Sequence, residues 1–376
     1  MRDLYFRIDF NYDREFIKFK GGRLKMYLRQ SPLVQALYYS LKLDVLKNKV
    51  SRTWRKDVEC AINTYLTEKE KADNKIVNII RKDIDKCYSV CKSKPYEYFL
   101  FDLRHKNKTE RASFITDISM LYMLTKTGTR KLHDLELNNK ANFFKLCEPY
   151  FKRKIMIVKS SHDYNDFEEM GLSLGKVICK PVSAGCGGGI FVAITKSKLD
   201  VQDAFSKMIK YGGDWIVEEY ILQSHEMSSW NPTSVNTVRF TTFKNSEGIH
   251  FHCPFMRSGR VGSYVDNGGR GGIYAIIDIN TGKISSYGYD ELGISYDSHP
   301  DSGIPYVGWQ VPKWDELKVL ASEIHETIMP KHKYIGWDFA LTVDGWVLIE
   351  GNWGQYVCQQ SCTKRGFKEI FEKYLK

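Results

Sequence analysis

The first 135 residues place their hydrophobic side chains at helical spacing. In residues 31–43, apolar positions recur every three or four residues after a Ser-Pro start, which predicts an amphipathic helix. Residues 58–90 carry scattered charges without Gly or Pro, as long exposed helices do. A dense aromatic run at 96–103 is predicted to pack this region onto the rest of the chain, and helical spacing resumes over 111–124. We therefore predict a mainly helical region over residues 1–135.

Beyond residue 135 the pattern changes to short apolar or alternating runs. A helix is predicted to begin between Glu136 and Lys140, and further helices are predicted at 314–328 and 364–376. Between the helices, runs of four to ten residues have the composition of strands. These predicted strands are 154–158, 176–180, 190–194, 214–221 and 234–243. The pattern predicts an α+β fold for this part of the chain.

The clearest local pattern is a β-hairpin near the C-terminal end, in which two apolar runs are joined at Asp344-Gly345. The length of its turn decides which side chains share a face, because successive residues of a strand point to opposite faces. A two-residue Asp344-Gly345 turn would separate the acids of the two strands, whereas a three-residue turn would bring them together. We predict the three-residue turn, since Gly345 suits its left-handed last position. The resulting register pairs Thr342 with Trp346, Ala340 with Leu348 and Asp338 with Glu350.

Three side chains with oxygen atoms lie near the open end of this predicted hairpin. Asp338 and Glu350 would have Cβ atoms about 5 Å apart, with Asn352 further along the same face. Two carboxylates and an amide are suited to Mg²⁺ that bridges nucleotide phosphates. A surface hairpin with incidental acids is the alternative, so the rest of the chain has to decide between the two.

A glycine-rich loop separates two of the predicted strands. It joins the strand ending at Lys180 to the strand at 190–194 and contains Gly185, Gly187, Gly188 and Gly189. A P-loop or a Rossmann turn would place a helix after the glycines, so neither motif is present. A glycine hairpin can lie over a triphosphate because its backbone N–H groups approach the oxygens, and Lys180 would neutralise phosphate charge. A mobile hairpin without a ligand is the alternative.

Other polar side chains lie on or just after strands. Glu218 and Glu219 could accept hydrogen bonds from an aminopurine or a ribose, or could mark a solvated strand end. Arg239 could hold a transferring phosphoryl group or pair with a nearby acid. A second glycine-rich loop contains Asn267 and Arg270, which are candidates for substrate binding.

The charge of the chain is unevenly distributed. Of the net charge of +11, residues 1–134 carry +12 and residues 135–376 carry −1. A basic region could meet nucleic acid, an anionic membrane surface or a polyanionic substrate, or could consist of solvated helix faces. No Lys/Arg-rich block is interleaved with aromatic residues, so nucleic acid is not expected as a partner.

The cysteine content and the hydropathy bear on the compartment. The nine cysteines form no paired framework and fit reduced thiols. No run is long enough to span a membrane, and the first residues include acids where a signal peptide would be apolar. We expect a cytoplasmic protein.

Six motifs, taken in order and spacing, resemble the ATP-grasp fold. They are Lys140, Lys180, the loop at 185–189, Glu218-Glu219-Tyr-Ile221, Asn236 with Arg239, and Asp338 with Glu350-Gly-Asn352. The chain resembles most closely the sugar-transfer-associated ATP-grasp group. That likeness rests on residues 234–239, on Asp266-Asn267 with Gly271-Gly272, and on Gly336-Trp-Asp338 paired with Glu350-Gly-Asn352. The resemblance covers roughly residues 95–376.

The resemblance implies a fold of two α+β subdomains that enclose ATP, with a mainly helical N-terminal region. The implied boundaries are a basic helical region at 1–135, a lid subdomain at 136–222 and a C-terminal subdomain with the Mg²⁺ site at 223–376. The helical N-terminal third is unlike the α/β N-terminal domain of D-alanine–D-alanine ligases, so substrates of those enzymes cannot be carried over. Cys186 is a second departure, because lid loops usually hold small or polar residues.

The resemblance also implies a role for each matching residue. ATP would be bound by Lys140, Lys180, Gly185, Gly187, Gly188, Gly189, Glu218, Glu219, Ile221 and Glu226, with the two acids and Ile221 at the adenine and Glu226 at the ribose. Two Mg²⁺ ions would be held by Asp338, Glu350 and Asn352. Catalytic roles fall to Arg239, Arg257 and Asn236, and substrate binding falls to Asp266, Asn267 and Arg270.

The implied activity is ATP-dependent ligation of a carboxylate to an amine through an acyl phosphate. The expected substrates are small molecules, with a sugar acid or nucleotide-sugar of cell-surface polysaccharide synthesis among the candidates. The basic N-terminal third is, from its charge, also a candidate for peripheral contact with the inner face of the membrane. Three alternatives are an ATP-grasp kinase, a ligase that modifies a peptide or protein, and a catalytically degenerate nucleotide-binding partner of a glycosyltransferase.

Overall fold

The computed structural model describes residues 51–182, 189–352 and 356–375. The helix predicted at 31–43 lies outside these residues. The described chain begins with seven helices, which confirms the helical prediction for this stretch. They are α1 (Ser51–Tyr65), α2 (Glu68–Ala72), α3 (Asn74–Cys91), α4 (Pro95–Leu100), α5 (Lys108–Ala112), α6 (Asp117–Lys126) and α7 (Thr129–Glu136).

These helices build a core of their own. Ile62 from α1 and Ile80 and Ile84 from α3 are buried together with Tyr98 and Phe101 of the aromatic run. The prediction that residues 58–90 form exposed helices is therefore wrong for one face of each helix. Burial of that face stabilises the helices more than their intrinsic propensity does.

A buried carboxylate joins two of these helices at their first turns. Glu97 of α4 accepts hydrogen bonds from the backbone N–H of Lys94 at 2.6 Å and of Asp117 at 2.8 Å. The first N–H groups of a helix have no partner within the helix, so one side chain here caps both α4 and α6.

A four-stranded antiparallel sheet follows. It is built from β1 (Ile155–Val158), β2 (Lys176–Pro181), β3 (Phe191–Ile194) and β4 (Trp215–Glu219), in the order β1-β4-β2-β3. The accompanying helices are α8 (Lys140–Phe151), α9 (Tyr164–Leu174) and α10 (Lys198–Tyr211). Phe167 of α9 and Val201 and Met208 of α10 are buried against Val177 and Val217 of the sheet. The predicted strands of this segment are confirmed.

An eight-stranded antiparallel sheet forms the second body of the fold. Its order is β10-β9-β8-β7-β5-β11-β12, with β6 paired to β5. The strands are β5 (Thr237–Asn245), β6 (Gly248–Phe251), β7 (Phe255–Ser258), β8 (Ile273–Ile276), β9 (Gly288–Tyr289), β10 (Ser295–Tyr296), β11 (Tyr334–Thr342) and β12 (Gly345–Asn352). The remaining helices are α11 (His225–Ser228), α12 (Trp314–Thr327), α13 (Val357–Thr363) and α14 (Lys368–Tyr374). Leu317 and Ile324 of α12 share a buried cluster with Phe240 and Trp337 of the sheet.

The β11–β12 hairpin has a different turn from the predicted one. Thr342 pairs with Gly345, so the turn has two residues, Val343 and Asp344, and the predicted three-residue turn is wrong. The Thr342 hydroxyl closes this turn by accepting from the Asp344 N–H at 3.2 Å and donating to the Gly345 carbonyl at 2.9 Å. Gly345 has φ +117°, a backbone conformation that favours glycine, but it begins the second strand instead of ending the turn.

A β-bulge corrects the register before the acids are reached. Phe339 pairs with Leu348, whereas the preceding residue of β11, Asp338, pairs with Glu350. Ile349 is therefore an extra residue in β12. The predicted pairs of Thr342 with Trp346 and of Ala340 with Leu348 are wrong, but the predicted pairing of Asp338 with Glu350 is confirmed.

Three buried histidines connect α7 to the large sheet. His133 donates from Nε2 to the Tyr334 carbonyl at 2.7 Å, and its ring stacks on His332 with centroids 4.9 Å apart. His325 donates from Nε2 to the His332 carbonyl at 2.7 Å, and its Nδ1 lies 2.7 Å from the Thr242 hydroxyl. The Glu136 carboxylate lies 2.8 Å from Nε2 of His332. Burial and the neighbouring imidazoles lower the pKa of His133 to about 3, and burial lowers the pKa of His325 to about 4.

We expect the protein to lose stability in mild acid. An unfolded histidine binds its proton with a pKa near 6.5, whereas His133 and His325 stay neutral in the folded chain, so unfolding takes up protons below that pH. Between pH 7.5 and 5.5 these two residues should lower the free energy of unfolding by about 3 kcal/mol. Urea denaturation at both pH values measures the effect. His325→Gln should reduce the pH dependence, and replacement of the exposed His162 with Gln should leave it unchanged.

Candidate active site

Four charged side chains lie in neighbouring strands of the large sheet. Asp338 on β11 is fully buried and is paired across the sheet with Arg239 of β5 on one side and with Glu350 of β12 on the other. Thr237, two residues before Arg239, is paired with Arg257 of β7. The bulge in β12 therefore places two acids and two arginines side by side.

Both arginines bind Asp338. Arg239 donates Nε to Oδ1 and Nη2 to Oδ2, the second at 2.8 Å, and Nη2 of Arg257 forms an ion pair with Oδ2 at 2.8 Å. Burial opposes ionisation of the carboxyl, but the two guanidinium groups lower the pKa of Asp338 to about 2. Arg239 thus forms the ion pair that the sequence left open as an alternative to phosphoryl binding.

The predicted metal ligands converge, and their chemistry fits a divalent cation. The Asn352 amide donates Nδ2 to Oδ2 of Asp338 at 3.3 Å and to Oε1 of Glu350 at 3.1 Å. Burial and the neighbouring Asp338 raise the pKa of Glu350. No Lys or Arg among the described residues lies within ion-pair distance of the Glu350 carboxylate, so that oxygen pair is the one best placed to ligate a cation such as Mg²⁺.

Asp266 has an internal role. Its Oδ2 accepts from the Thr237 N–H at 3.0 Å and from the Thr237 hydroxyl, and it lies 3.4 Å from Nε of Arg257. The Thr237 hydroxyl also accepts from Nη2 of Arg257 at 2.8 Å. Asp266 is buried and one of its oxygens holds Thr237 and Arg257 in place, and its predicted contact with substrate stays a prediction.

The loop that follows Asp266 carries the other two predicted substrate residues on its outside. Asn267 is half-buried, and Arg270 is exposed within a short 3₁₀ turn, Gly268–Arg270. The loop closes tightly, because the N–H groups of Arg270 and Gly272 both donate to the Asn267 carbonyl, at 2.9 and 3.1 Å. The two side chains therefore remain available to a ligand.

We expect Gly272→Ala to disrupt this loop. A Cβ atom on Gly272 would lie 2.0 Å from the Asp266 carbonyl oxygen, and that backbone atom cannot move without shifting Asp266 away from Arg257. The substitution should cost about 1–3 kcal/mol in stability and most of the activity. Chemical denaturation and turnover measure the two effects. Gly262→Ala, where a Cβ atom would meet open space although φ is +85°, is the control for backbone strain alone.

Asn236 is a packing residue in this structure. Its Nδ2 donates to the carbonyls of Met227 at 2.8 Å and Asn231 at 3.0 Å, and its Oδ1 accepts from the Gly259 N–H at 2.9 Å. The Gln223 side chain donates Nε2 to the Asn236 carbonyl at 2.7 Å and accepts from the Asn236 N–H at 2.8 Å through Oε1. The Asn236 side chain is fully buried and supports the strand that carries Arg239, and its predicted catalytic role stays a prediction.

The predicted ATP-binding lysines lie beside Glu218. Lys180 of β2 lies 2.8 Å from Oε1 of Glu218, and the Lys140 ammonium lies 3.3 Å from the Pro181 carbonyl. Burial lowers the pKa of Lys140, with Glu350 and Glu218 acting in the opposite direction and Lys180 in the same one. These groups are therefore close enough to form one charged cluster with the metal ligands.

Glu218 is held by the protein itself. Burial is outweighed by Lys180 and Arg153, which lower the pKa of Glu218 to about 2. Arg153 donates Nη2 to Glu218 at 2.6 Å and Nη1 to the Leu348 carbonyl at 2.6 Å, so it connects the small sheet to β12. The Glu218 oxygens pair with these two cations, and the predicted contact of this side chain with adenine stays a prediction.

The remaining predicted nucleotide residues have fewer internal partners. Glu219 accepts from the Lys154 N–H at 3.1 Å, Ile221 is half-buried, and Glu226 is exposed at the start of α11. Gly189 has φ +73°, and a Cβ atom there would lie 2.8 Å from Pro181. Gly185, Gly187 and Gly188 lie outside the described residues.

Sequence reasoning missed three residues that position the site. Arg153 precedes a predicted strand, Thr237 lies within one, and Gln223 follows another. Only Thr237 carried a signal, since the predicted strand at 234–243 places residues two apart, such as Thr237 and Arg239, on one face. The roles of Arg153 and Gln223 depend on partners 65 and 13 residues away, which local pattern does not reveal.

Comparison with known proteins finds a family whose model matches the chain. A model of the sugar-transfer associated ATP-grasp family matches residues 130–373. Among solved structures, the chain is similar to D-alanyl-alanine synthetase A from Vibrio cholerae, with 9% identity, a TM-score of 0.40 and 66% of each chain covered. It is similar to the VanG D-Ala:D-Ser ligase from Enterococcus faecalis, with 15% identity, a TM-score of 0.42 and coverage of 65% of this chain and 62% of that one. The chain thus spans slightly less than two thirds of either protein.

A third similar structure is the ATP-grasp ligase PsnB complexed with a phosphomimetic variant of its minimal precursor, Mg and ADP. The identity is 12%, the TM-score is 0.40, and 78% of this chain and 74% of that chain are covered. No curated protein matches the chain. Within the described residues, no helix is both long and apolar enough to cross a bilayer.

Proposed function

The chain belongs to the sugar-transfer associated ATP-grasp family, and on this basis we propose that it is an ATP- and Mg²⁺-dependent ligase that joins a carboxylate to an amine. The observation that carries the proposal is the row of Arg239, Asp338 and Glu350 across three strands, which depends on the bulge at Ile349. Family membership alone would also fit a protein that binds nucleotide but has lost catalysis. The intact row of charged side chains supports a protein that has kept it.

The proposed reaction activates a carboxylate with ATP. A carboxylate oxygen attacks the γ-phosphorus, ADP leaves, and the amine then displaces phosphate from the acyl carbon. Phosphoryl transfer needs positioning and charge neutralisation more than a covalent protein group. Positive charge for this step is supplied by Lys140, Lys180, Arg239 and Arg257. Ion pairs with Glu218 or Asp338 hold the last three in position.

Glu350 and Asn352 would hold Mg²⁺. Asp338 would join them if Arg239 or Arg257 released one of the Asp338 oxygens. When bound, the ion would neutralise phosphate charge. Arg239 and Arg257 keep Asp338 ionised, so its carboxylate carries the charge that a cation needs once an arginine moves aside. We propose one or two ions at this position.

The family description, sugar-transfer associated, supports a proposal for the substrates and the setting. A sugar acid, nucleotide-sugar or amino acid is the proposed carboxylate, and the product would be an amide-bearing component of cell-surface polysaccharide. The use of ATP and the free thiols of the eight described cysteines fit a cytoplasmic enzyme. Contact of the basic N-terminal third with the inner face of the membrane remains part of the proposal.

Trapping with hydroxylamine tests the ligase function. The purified protein is incubated with Mg-ATP and a panel of sugar acids and amino acids, with and without hydroxylamine, which converts an acyl phosphate to a hydroxamate. We expect ADP release that depends on one carboxylate, together with the matching hydroxamate. A stable phosphoester without hydroxamate would identify a kinase. Nucleotide binding without turnover on any substrate would favour the degenerate partner of another enzyme.

A further inference from the structure

One buried arginine outside the predicted site holds a carboxylate of the small sheet. Arg153 lies between α8 and β1, and its side chain is only 4% exposed. Its Nε and Nη2 both donate to Oε2 of Glu218, at 2.9 and 2.6 Å. Its Nη1 donates to the carbonyls of Leu348 at 2.6 Å and Phe151 at 3.2 Å, and the guanidinium lies 4.7 Å from the centre of the Phe151 ring. Every nitrogen of this guanidinium is therefore bound by the protein.

The Leu348 carbonyl lies at the bulge of β12. The extra residue, Ile349, follows Leu348 directly and precedes Glu350. A bulge interrupts the ladder of cross-strand hydrogen bonds, so a carbonyl at this place is stabilised by a donor from elsewhere in the chain. Arg153 supplies such a donor, and its charge makes the bond short. One side chain thus joins Glu218 of the small sheet to the strand segment that positions Glu350.

Lys180 is held less firmly than Arg153. Its ammonium lies 2.8 Å from Oε1 of Glu218, whereas Arg153 binds the other oxygen, Oε2. Within the part of the chain that the structure describes, Glu218 is the one ion-pair partner of Lys180. Lys180 can therefore leave Glu218 without breaking a bond of Arg153. A buried carboxylate needs a cation beside it, and Arg153 still meets that need when Lys180 moves to a phosphate.

We propose that Arg153 is a positioning residue for phosphoryl transfer. It neutralises Glu218, which leaves Lys180 available to a nucleotide phosphate, and it fixes the distance between the small sheet and the proposed metal ligand Glu350. This inference rests on the proposed ligase function and adds a residue outside the expected nucleotide and metal sites. The charge of the guanidinium acts at Glu218, whereas its planar fork binds the carboxylate and the Leu348 carbonyl together. A lysine at this position could supply the charge but not the fork.

The role of the charge is tested by binding of Mg-ADP, which needs no turnover. In Arg153→Met, Lys180 becomes the only cation that pairs with Glu218, so the Kd of Mg-ADP measured by calorimetry should rise about tenfold or more. In the Glu218→Gln background no charge has to be neutralised, and the same arginine substitution should leave the Kd unchanged. This background also removes the buried charge that would destabilise the single variant. Lys154→Met, at the exposed neighbouring residue, is the matched control and should bind as the wild type does.

The role of the fork is tested by turnover. Arg153→Lys keeps the positive charge beside Glu218, so Mg-ADP should bind as it does to the wild type. The kcat of hydroxamate formation should fall about tenfold to a hundredfold, because a small displacement of the metal ligand from the phosphates slows phosphoryl transfer. An arginine that only stabilised the fold would change the midpoint of thermal denaturation without separating binding from kcat in this way.

Each result bears on one claim. Equal binding of Mg-ADP by Arg153→Met and the wild type overturns the claim that Arg153 frees Lys180, and so does a loss that persists in the Glu218→Gln background. A wild-type kcat in Arg153→Lys overturns the claim that Arg153 fixes the distance to Glu350. If the wild-type protein forms no hydroxamate with any carboxylate, the ligase function itself fails, and the binding measurements still decide the role of the charge.

Discussion

Replacing Glu350 with Gln should lower turnover by about a thousandfold while leaving the fold intact. Glutamine keeps the volume and the hydrogen bond from Asn352, which donates to Glu350 at 3.1 Å, but it removes the charge proposed to ligate Mg²⁺. The fold should tolerate the change, because Glu350 lies beside a second acid that raises its pKa. The melting temperature should stay unchanged or rise, and steady-state ADP release and thermal denaturation measure the two effects.

Asp344→Asn is the matched control for this experiment. Asp344 lies on the same hairpin but at its exposed tip, where its side chain forms no hydrogen bond within the described residues. This variant should retain wild-type turnover. If Glu350→Gln retained activity, Glu350 would not be a metal ligand. The observation on which the proposed function rests would then no longer support it.

Replacing Arg239 with Met should destabilise the protein by about 3–5 kcal/mol and abolish turnover. Arg239 binds both oxygens of a carboxylate that is completely buried, and its removal leaves Asp338 with Arg257 as its remaining guanidinium partner. Breaking a buried pair on one side costs more than removing the pair as a whole, because the remaining buried charge loses part of its compensation. Urea denaturation and ADP release measure the two losses.

The double variant Arg239→Met with Asp338→Asn separates stability from function. Removing the negative charge as well should restore most of the lost stability, whereas turnover should remain absent because the site has lost both groups. Arg55→Met, at an exposed arginine of α1, is the control for loss of an arginine side chain. Equal instability of the single and double variants would contradict the ion-pair account of Arg239.

The sequence was sufficient for the helices and the longer strands that border the site, because apolar periodicity is a local feature. It also predicted the pairing of Asp338 with Glu350, but through a three-residue turn, whereas the structure reaches that pairing through a two-residue turn and a bulge. The turn length was predicted wrongly because the sequence Asp344-Gly345 suits more than one turn, and the choice depends on the Thr342 hydroxyl. The bulge at Ile349 leaves no mark in hydropathy, since apolar residues fill that part of β12.

Side-chain partners were the part that the sequence could not supply. Asp266 and Arg270 lie in the same short loop, yet one points inward to Thr237 and Arg257 while the other is exposed. Glu218 and Glu219 are adjacent in β4, yet only Glu218 meets two cations. These differences depend on which strand lies beside each residue, and sheet order is a property of the whole chain.

The bulge in β12 has a consequence for the way this hairpin can change during evolution. A single-residue insertion in the turn would exchange the two faces of β12 and turn Glu350 away from Asp338, unless the extra residue at Ile349 were lost at the same time. Turn length and bulge are thus linked: the two acids share a face only if the combined number of extra residues in the turn and in the bulge stays odd or stays even. Among related chains, we expect gaps of one residue at 343–345 to occur together with a compensating gap near 349, and unpaired gaps to mark chains that have lost one of the two acids.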